Sequence, residues 1–251
     1  MQTKYNENIL YFDDYNLLDI ALTNKTPFYL YSENKIIENF NDYKAAFSNN
    51  NHLICYAVKA NSNLKILSIL AKLGSGFDIV SGGELHRVLE IGGDPSKIVF
   101  SGVGKTEDEI RLAISNDILC FNVESLEELK TINSLAIEMK KTANISIRVN
   151  PSIDIKTHPY IATGMKDNKF GVDEKEIVSF YEEAGLCEGL KITGIDFHIG
   201  SQITEISPYR EALEKVCKII KKLSDKNIKI GHIDIGGGLG ILYNDEKLPS
   251  K

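Results

Sequence analysis

The sequence predicts an α/β fold in which parallel strands form a (β/α)8 barrel that stops before its eighth strand. Short apolar runs alternate with amphipathic stretches of helical periodicity. The runs recur every 20 to 45 residues or so, which leaves room for a crossover helix between successive parallel strands. The chain has 251 residues, a length that suits one such barrel.

Seven runs are apolar along nearly their whole length, as strands buried on both faces of a sheet require. They cover residues 53–58, 77–80, 98–100, 118–121, 145–149, 192–197 and 230–235. A closed barrel of this type needs an eighth strand, but residues 244–251 are polar. We therefore expect an open barrel that exposes a sheet edge.

Capping residues mark the starts of several helices. Thr106 with Glu109 and Ser125 with Glu128 each fit a capping box, in which two side chains satisfy each other's backbone N–H groups. Ser207, which precedes a proline, predicts a cap followed by proline at the first helical position. Apolar residues repeat at three- and four-residue intervals over 124–140 and 208–222.

Composition and charge exclude several classes of partner. The net charge of −6, without a basic patch, argues against nucleic acid. No apolar run is long enough to cross a bilayer, and the N-terminus lacks a signal-peptide core, so we expect a cytoplasmic protein without a membrane partner. The four cysteines lie far apart and are expected to be buried, reduced thiols. The histidines show no spacing typical of a metal site, and we expect none.

Lys59 is the first candidate for chemistry. It ends the first apolar strand and is followed by a polar turn. That position corresponds to the C-terminal mouth of the barrel, where barrel active sites form. Desolvation at such a mouth favours a neutral amine, which can attack an aldehyde. A lysine whose stem covers apolar surface at a strand end would explain the same position without chemistry.

Gly236, Gly237 and Gly238 follow the seventh strand directly, and Gly240 adds a fourth glycine. Glycine lets backbone N–H groups point at an anion without a side chain in the way. The loops after strands seven and eight are also the usual phosphate site of this barrel. A plain tight turn and a dinucleotide-binding fingerprint are the alternatives, although the fingerprint would need a third glycine at Ile241.

Four further polar residues lie at predicted strand ends. His198 ends the sixth strand, Arg148 closes the fifth, and Asp78 and Ser81 flank the second. An imidazole placed there can stack on a flat ring or move protons, although a hydrogen-bonded structural histidine fits the same position. The sequence has neither the Gly-x-Ser-x-Gly elbow of serine hydrolases nor a Gly-Lys-Ser/Thr phosphate loop. In a barrel, all these residues would surround one mouth together with the glycine loop.

Seven short motifs are spread between about Pro27 and Ile241. Together they resemble the alanine-racemase-like, or fold type III, pyridoxal-phosphate enzymes, and among these the diaminopimelate decarboxylases. The lysine, histidine and glycine motifs are shared with ornithine and arginine decarboxylases. The motifs are Tyr-Ala-Val-Lys-Ala-Asn (56–61), Phe-Asp-Ile-Val-Ser-Gly-Gly-Glu-Leu (77–85), Arg-Val-Asn-Pro (148–151), Thr-His-Pro-Tyr-Ile-Ala-Thr-Gly (157–164), Asn-Lys-Phe-Gly (168–171), Phe-His-Ile-Gly-Ser-Gln (197–202) and Asp-Ile-Gly-Gly-Gly-Leu-Gly (234–240).

The resemblance implies a role for each matching residue. Lys59 would hold pyridoxal 5'-phosphate through a Schiff base and return as a proton carrier, and His198 would stack on the pyridine ring. The other implied cofactor-binding residues are Ser201, Gly236, Gly237 and Gly238 at the phosphate, and Asp78, Ser81 and Arg148 around the ring and the lysine. The implied reaction is decarboxylation of meso-2,6-diaminopimelate to L-lysine, the last step of lysine biosynthesis, with the cofactor as electron sink.

The chain departs from the family at its C-terminal end. The Glu-Pro-Gly-Arg segment expected at strand eight is absent, and so is the β-sandwich domain that follows it in the family. The resemblance therefore implies an N-terminal segment (residues 1–26) and an incomplete pyridoxal-phosphate-binding barrel of the alanine racemase type (residues 27–251). Members of the family form homodimers. We expect this chain on its own to be unstable or inactive.

Several other functions are compatible with the same motifs. One is a pyridoxal-phosphate homeostasis protein, a single barrel that binds the cofactor without catalysis. Another is a sister decarboxylase acting on ornithine, arginine or carboxynorspermidine. Alanine racemase fits less well because it lacks the His-Ile-Gly-Ser arrangement after strand six. An inactive paralogue or a gene fragment is a further alternative.

Overall fold

The computed structural model describes residues 3–153 and 170–243. The described chain begins with an antiparallel three-stranded meander and a short helix, which the sequence patterns did not predict. The Asn16 side chain caps this helix by accepting a hydrogen bond from the Leu18 N–H. The elements are β1 (Thr3–Asn6), β2 (Ile9–Phe12), β3 (Tyr15–Asn16) and α1 (Leu17–Thr23).

Seven parallel strands form the main sheet, and their order in the sheet is their order along the chain. All seven apolar runs predicted as strands are confirmed. A further short strand, β9 (Val172–Asp173), was not predicted and pairs with the end of the fifth strand. The main strands are β4 (Cys55–Ala57), β5 (Gly76–Ile79), β6 (Ile98–Phe100), β7 (Cys120–Val123), β8 (Ala143–Asn150), β10 (Leu190–Asp196) and β11 (His232–Asp234).

Contacts across the sheet show that it curls into an open barrel. β7 and β11 are not neighbours in the sheet, yet Asn122 Nδ2 lies 3.3 Å from Asp234 Oδ2. Cys120 Sγ likewise lies 3.9 Å from His232 Nε2. Only a curved sheet brings these inward-pointing side chains together. β4 and β11 are its edges, and no strand within the described ranges joins them, so the predicted seven-stranded, incomplete barrel is confirmed.

Helices connect the strands, as parallel pairing requires. The two predicted helices at 124–140 and 208–222 are present, with slightly different ends. The helix before the barrel is α2 (Glu33–Ala46), and the crossover helices are α3 (Leu64–Lys72), α4 (Gly82–Glu90), α5 (Glu107–Ser115), α6 (Leu126–Glu138), α7 (Ile177–Gly185) and α8 (Ser207–Asp225).

The predicted caps are present in two of three cases. Thr106 and Glu109 form the complete capping box of α5. Ser125 accepts a hydrogen bond from the Glu128 N–H at the start of α6, but the Glu128 carboxylate accepts from the Glu124 N–H rather than from the cap residue. The prediction that Ser207 caps a helix was wrong. It is the first residue of α8, and no side chain caps that helix.

The core fills both sides of the sheet. Phe77, Phe100 and Phe121 are fully buried or nearly so, and the rings of the last two stack with centroids 5.9 Å apart. Tyr181 on α7 is also fully buried, and its hydroxyl donates to the Gly194 carbonyl at 2.7 Å. This bond satisfies a polar atom that burial would otherwise leave without a partner. The core therefore fixes the strand ends from which the polar residues emerge.

Two further observations concern the length of the helices and the cysteines. None of the helices within residues 3–153 and 170–243 is long and apolar enough to cross a membrane. All four cysteines are free thiols, but only Cys120 is buried. The expectation that all four would be buried was wrong for three of them: Cys55 and Cys187 are half-buried, and Cys217 is exposed because it lies on the solvent side of the amphipathic helix α8.

The caps give a direct test of the fold. Thr106→Ala removes the side-chain acceptor at the start of α5, so we expect a loss of about 1 kcal/mol in the free energy of unfolding. Ser207→Ala is the matched control and should change it by less than about 0.5 kcal/mol, because Ser207 caps nothing. Urea denaturation measures both values. Equal losses for the two variants would contradict this account of the helix starts.

Candidate functional site

Lys59 lies directly after β4, in a single 3-10 turn at Val58–Ala60. Val58 is fully buried and anchors the turn, whereas Lys59 is exposed. Within the two described ranges the Lys59 ammonium makes no hydrogen bond and no ion pair. The described residues leave the Lys59 side chain exposed, and the desolvation expected at this position stays a prediction. The Lys59 amine at the mouth of the barrel is therefore unengaged, that is, without a hydrogen bond or ion pair to any described residue.

Asp78 lies on β5, beside β4, the strand that Lys59 follows. Its Oδ1 accepts a hydrogen bond from Ser101 Oγ at 2.6 Å. Burial raises the pKa of the Asp78 carboxyl to about 6, against the effect of the Ser101 bond. Asp234 raises that pKa further, and Lys59 opposes the increase. Asp78 can therefore change its protonation state close to neutral pH.

Ser81 caps α4, the helix that follows β5. Its Oγ accepts from the Glu84 N–H at 3.2 Å, and the Glu84 carboxylate accepts from the Val80 N–H at 2.8 Å. The neighbouring Gly82 N–H donates to Glu109 of the next helix at 2.8 Å. The structure thus gives Ser81 a role in orienting the loop after Asp78. Contact between Ser81 and a cofactor ring stays a prediction.

The glycine loop after β11 is shaped by close backbone packing. Gly236 and Gly238 have φ values of +66° and +96°, a region that favours glycine. A Cβ on Gly238 would collide with the Gly200 carbonyl oxygen, whereas one on Gly237 would meet nothing within 4 Å. The Gly236 N–H donates to Asp234 Oδ1 at 2.8 Å, and no partner within the described residues accepts from the Gly238 N–H. One amide of the loop is therefore available to an anion.

His198 faces this loop from the end of β10. Its Nδ1 accepts a hydrogen bond from the Gly237 N–H at 3.3 Å, so the neutral ring carries its proton on Nε2. Burial lowers the pKa of His198 to about 4, and the charges of Arg148 and Lys59 act in the same direction. The imidazole at this mouth is therefore uncharged at neutral pH.

Hydrogen bonds join the loop after β10 to the glycine loop. The Ile203 N–H donates to the Gly238 carbonyl, and the Gly240 N–H donates to the Ile203 carbonyl, both at 2.9 Å. Ser201, predicted to hold a phosphate, is exposed within the first of these loops. The two loops therefore form one unit, and the structure places Ser201, His198 and the glycines on it.

Arg148 takes part in a buried charged cluster at the end of β8. Its Nη1 lies 3.0 Å from Glu124 Oε1, and its Nε lies 3.7 Å from Asp196 Oδ2. Burial raises the pKa of Asp196 well above its usual range, an increase that Asp234 adds to and Arg148 opposes. Arg148 therefore lies between two acidic side chains, and burial favours the protonated form of one of them, Asp196.

A cavity of about 200 Å³ lies beside this cluster and reaches His198. The Phe170 ring forms part of the cavity wall, and its centroid lies 5.8 Å from the Arg148 guanidinium carbon. The cavity is lined by Arg148, Asn150, Pro151, Ile153, Phe170, His198, Ile199 and Gly200. Its size and mixed lining fit part of a small polar molecule.

Five polar residues at this mouth were not singled out from the sequence as site residues: Ser101, Asn122, Glu124, Asp196 and Asp234. Each lies within or just after an otherwise apolar strand, which is the signal that could have identified them. The strand register would have narrowed this set of candidates further, because Arg148, Asp196 and Asp234 lie side by side on β8, β10 and β11. Buried polar residues in such positions need partners.

Part of the predicted site lies outside the described residues. The motif at 157–164 and the first half of the motif at 168–171 belong to the range 154–169. No group of three or more His, Cys, Asp and Glu side chains within the described ranges is arranged to hold a metal ion.

The pKa of Asp78 gives a pH-dependent prediction. Unfolded Asp78 titrates near 3.8 and folded Asp78 near 6, so this carboxyl favours folding at low pH and opposes it as pH rises through 6. Asp78→Asn removes the buried charge, and we expect it to stabilise the fold by about 2 kcal/mol at pH 8. The gain should disappear near pH 4.

Urea denaturation at pH 8 and pH 4 measures this difference. Asp94→Asn is the control, because Asp94 is exposed and its hydrogen bonds from Ser96 lower its pKa. That variant should not be more stable than the unmodified chain at pH 8. A gain from Asp78→Asn that is the same at both pH values would contradict the assignment of a buried, titrating carboxyl.

Comparisons with known proteins agree with this geometry. The family model "Pyridoxal-dependent decarboxylase, pyridoxal binding domain" matches residues 33–251. The diaminopimelate decarboxylase of Haemophilus influenzae is 50% identical over 246 residues, which cover 98% of this chain and 59% of that protein.

Solved structures give the same result. The diaminopimelate decarboxylase from Helicobacter pylori complexed with L-lysine has a TM-score of 0.88 and 51% identity, covering 92% of this chain and 59% of that one. The enzyme of the same name from M. jannaschii, also with L-lysine, has a TM-score of 0.91 and 40% identity, covering 99% and 59%. This chain thus spans about 59% of the length of these relatives.

The resemblance inferred from the motifs is confirmed by these matches. The family match extends over far more than half of the sequence. The chain belongs to the pyridoxal-dependent decarboxylases and corresponds to their pyridoxal-binding domain.

Proposed function

We propose that this chain binds pyridoxal 5'-phosphate at Lys59 and forms the cofactor-binding part of a decarboxylase that converts meso-2,6-diaminopimelate to L-lysine. The observation that supports the proposal is that His198 accepts from the glycine loop and has its pKa lowered in part by the charge of Lys59, an amine that no described residue engages. Relatives about 50% identical that are named diaminopimelate decarboxylase support this substrate, as do the L-lysine complexes.

The residues present fit an aldehyde that carries a phosphate. Lys59 supplies a primary amine that no described residue engages. Gly238 supplies a free N–H at a position where backbone packing leaves no room for a Cβ. Closely packed backbone amides of this kind bind anionic oxygens. The Gly237 N–H, held only by a long bond to His198, can turn to the same anion.

When bound, the cofactor supplies an aldehyde and a conjugated ring that takes up the electron pair left by departing carbon dioxide. The chain's own residues orient the reactants and hold protons. Lys59 Nζ is a nucleophile and a proton carrier. His198 offers a neutral, flat ring, because its pKa lies near 4. Asp78 holds a proton part of the time near neutral pH and lies on β5, beside β4, the strand that Lys59 follows.

The proposal extends to the whole protein, since this chain spans about 59% of the length of its relatives. It includes Ser81, Arg148 and Ser201 as residues around the ring and the phosphate. It also includes a homodimer, a cytoplasmic location, and the division into residues 1–26 and a barrel from 27 to 251.

The cofactor site is tested by labelling. With equimolar pyridoxal phosphate and sodium borohydride, we expect a phosphopyridoxyl group on Lys59, identified by peptide mass spectrometry. Lys105 is the internal control, because its side chain is only 1% exposed and its Nζ donates to Gly102, Asn122 and Glu128. Lys59→Met should abolish the label. Labelling spread evenly over exposed lysines would refute binding at Lys59.

Turnover of the loaded protein separates the candidate reactions. The assay uses the whole decarboxylase of which this chain is the proposed cofactor-binding part, and there we expect carbon dioxide from meso-2,6-diaminopimelate and none from ornithine or arginine. Release from ornithine or arginine instead would identify a sister decarboxylase. A label at Lys59 without any release would favour the homeostasis protein that binds the cofactor without catalysis.

The glycine loop gives a matched pair of variants. Gly238→Ala forces a Cβ against the Gly200 carbonyl oxygen and should weaken pyridoxal-phosphate binding at least about tenfold. Gly237→Ala points its Cβ into open space and keeps its N–H, so affinity should stay within about threefold. Absorbance titration gives both dissociation constants. If both variants bind as the unmodified chain does, the phosphate lies elsewhere.

A further inference from the structure

Asn122 is a polar side chain in the interior of the barrel. It lies on β7 and is only 1% exposed, so its amide must find partners within the protein. Nδ2 lies 3.2 Å from Ser101 Oγ after β6 and 3.3 Å from Asp234 Oδ2 on β11. Because β11 is not a neighbour of β7 in the sheet, this amide joins opposite walls of the barrel.

The direction of each hydrogen bond in this series is fixed. The Ser101 hydroxyl gives its only proton to Asp78 Oδ1 at 2.6 Å, so its oxygen can only accept from Asn122. The Asn122 amide nitrogen can only donate, so Asp234 Oδ2 is the acceptor of the second bond. Both Nδ2 hydrogens of Asn122 are therefore used, one toward Ser101 and one toward Asp234. A carboxylate at position 122 could supply neither.

The series continues into the glycine loop. Asp234 Oδ2 accepts from Asn122, and Asp234 Oδ1 accepts from the Gly236 N–H at 2.8 Å. Gly236 starts the loop with a φ of +66°. Asp234 thus holds the Gly236 N–H, the first backbone amide of the glycine loop, and the same loop carries the Gly238 N–H that has no described partner. The backbone of Asn122 is itself fixed, since its carbonyl accepts from the buried Lys105 ammonium at 2.9 Å.

We propose that Asn122 is a positioning residue that orients Asp234 and, through it, the glycine loop for the phosphate group of the ligand. The proposal rests on the function proposed above. Asn122 acts through Asp234 and touches neither the ligand nor Lys59. Its neutral amide donates to Asp234 and to Ser101, the residue that donates to Asp78, and so supports two half-buried acids without adding charge.

The test compares two ligands of the full chain, pyridoxal phosphate and pyridoxal, which lacks the phosphate. Asn122→Asp should weaken pyridoxal-phosphate binding about tenfold, because two carboxylates then face each other. Affinity for pyridoxal should stay within about twofold, since the loop does not hold that ligand. Ser146→Ala is the matched control. Ser146 is buried, pairs with Asn122 in the strand register and has no hydrogen-bond partner among the described residues, so both affinities should be unchanged.

An exchange of the two side chains provides the sharper readout. The double variant carries both Asn122→Asp and Asp234→Asn. Its amide at position 234 can donate through Nδ2 to the carboxylate at position 122, while its Oδ1 still accepts from the Gly236 N–H. We expect this double variant to recover phosphate-dependent affinity to within about threefold, which neither single variant achieves. A merely structural role for Asn122 would not produce such a recovery.

The outcomes are distinguishable. If the unmodified chain binds neither ligand at Lys59, the proposed function fails and this inference fails with it. If the unmodified chain binds but Asn122→Asp binds equally well, or loses both ligands equally, the inference alone is overturned. Should Asn122→Asp not fold, Ser101→Ala interrupts the same series at a half-buried position, and an unchanged pyridoxal-phosphate affinity there would overturn it too.

Discussion

The structure of the barrel mouth depends on one constraint: a carboxyl group that is removed from water needs either a proton or a hydrogen-bond donor. Asp78, Asp196 and Asp234 lie inside one curled sheet, where repulsion between them is weakly screened. The protein resolves this in three ways. Burial raises the pKa of Asp196 and so favours its protonated form, Asp78 accepts from Ser101 and has a pKa raised to about 6, and Asp234 accepts from Asn122 and Gly236. The arrangement of the loops above follows from these bonds.

Much of the fold could be predicted from the sequence because its signals are local. Seven apolar runs and the cap residues Thr106 and Ser125 identified the strands and two helix starts, since burial on both faces and helix capping leave patterns within a few residues. The N-terminal meander gave no such signal, because its strands are exposed or only half-buried. β9 is only two residues long, and Ser207 resembled a cap that the chain does not use.

The site could be predicted only in part. Lys59, His198 and the glycines follow strands directly, so parallel topology alone brings them to one mouth. Asn122 and Asp234 meet only because the sheet curls enough for β7 to face β11, a distance that no local pattern encodes. The position of Arg148 at the barrel mouth was predicted, but its ion pair with Glu124 was not, because that pairing depends on how the neighbouring strand β7 is placed.

The carboxylates at the helix starts form a second connected system. Glu84, Glu109 and Glu128 each accept backbone N–H groups in the loops after three successive strands, and Glu109 also reaches the start of the preceding helix. The backbone N–H groups bonded to these glutamates are already used within the protein, so these three loops do not offer them to a ligand.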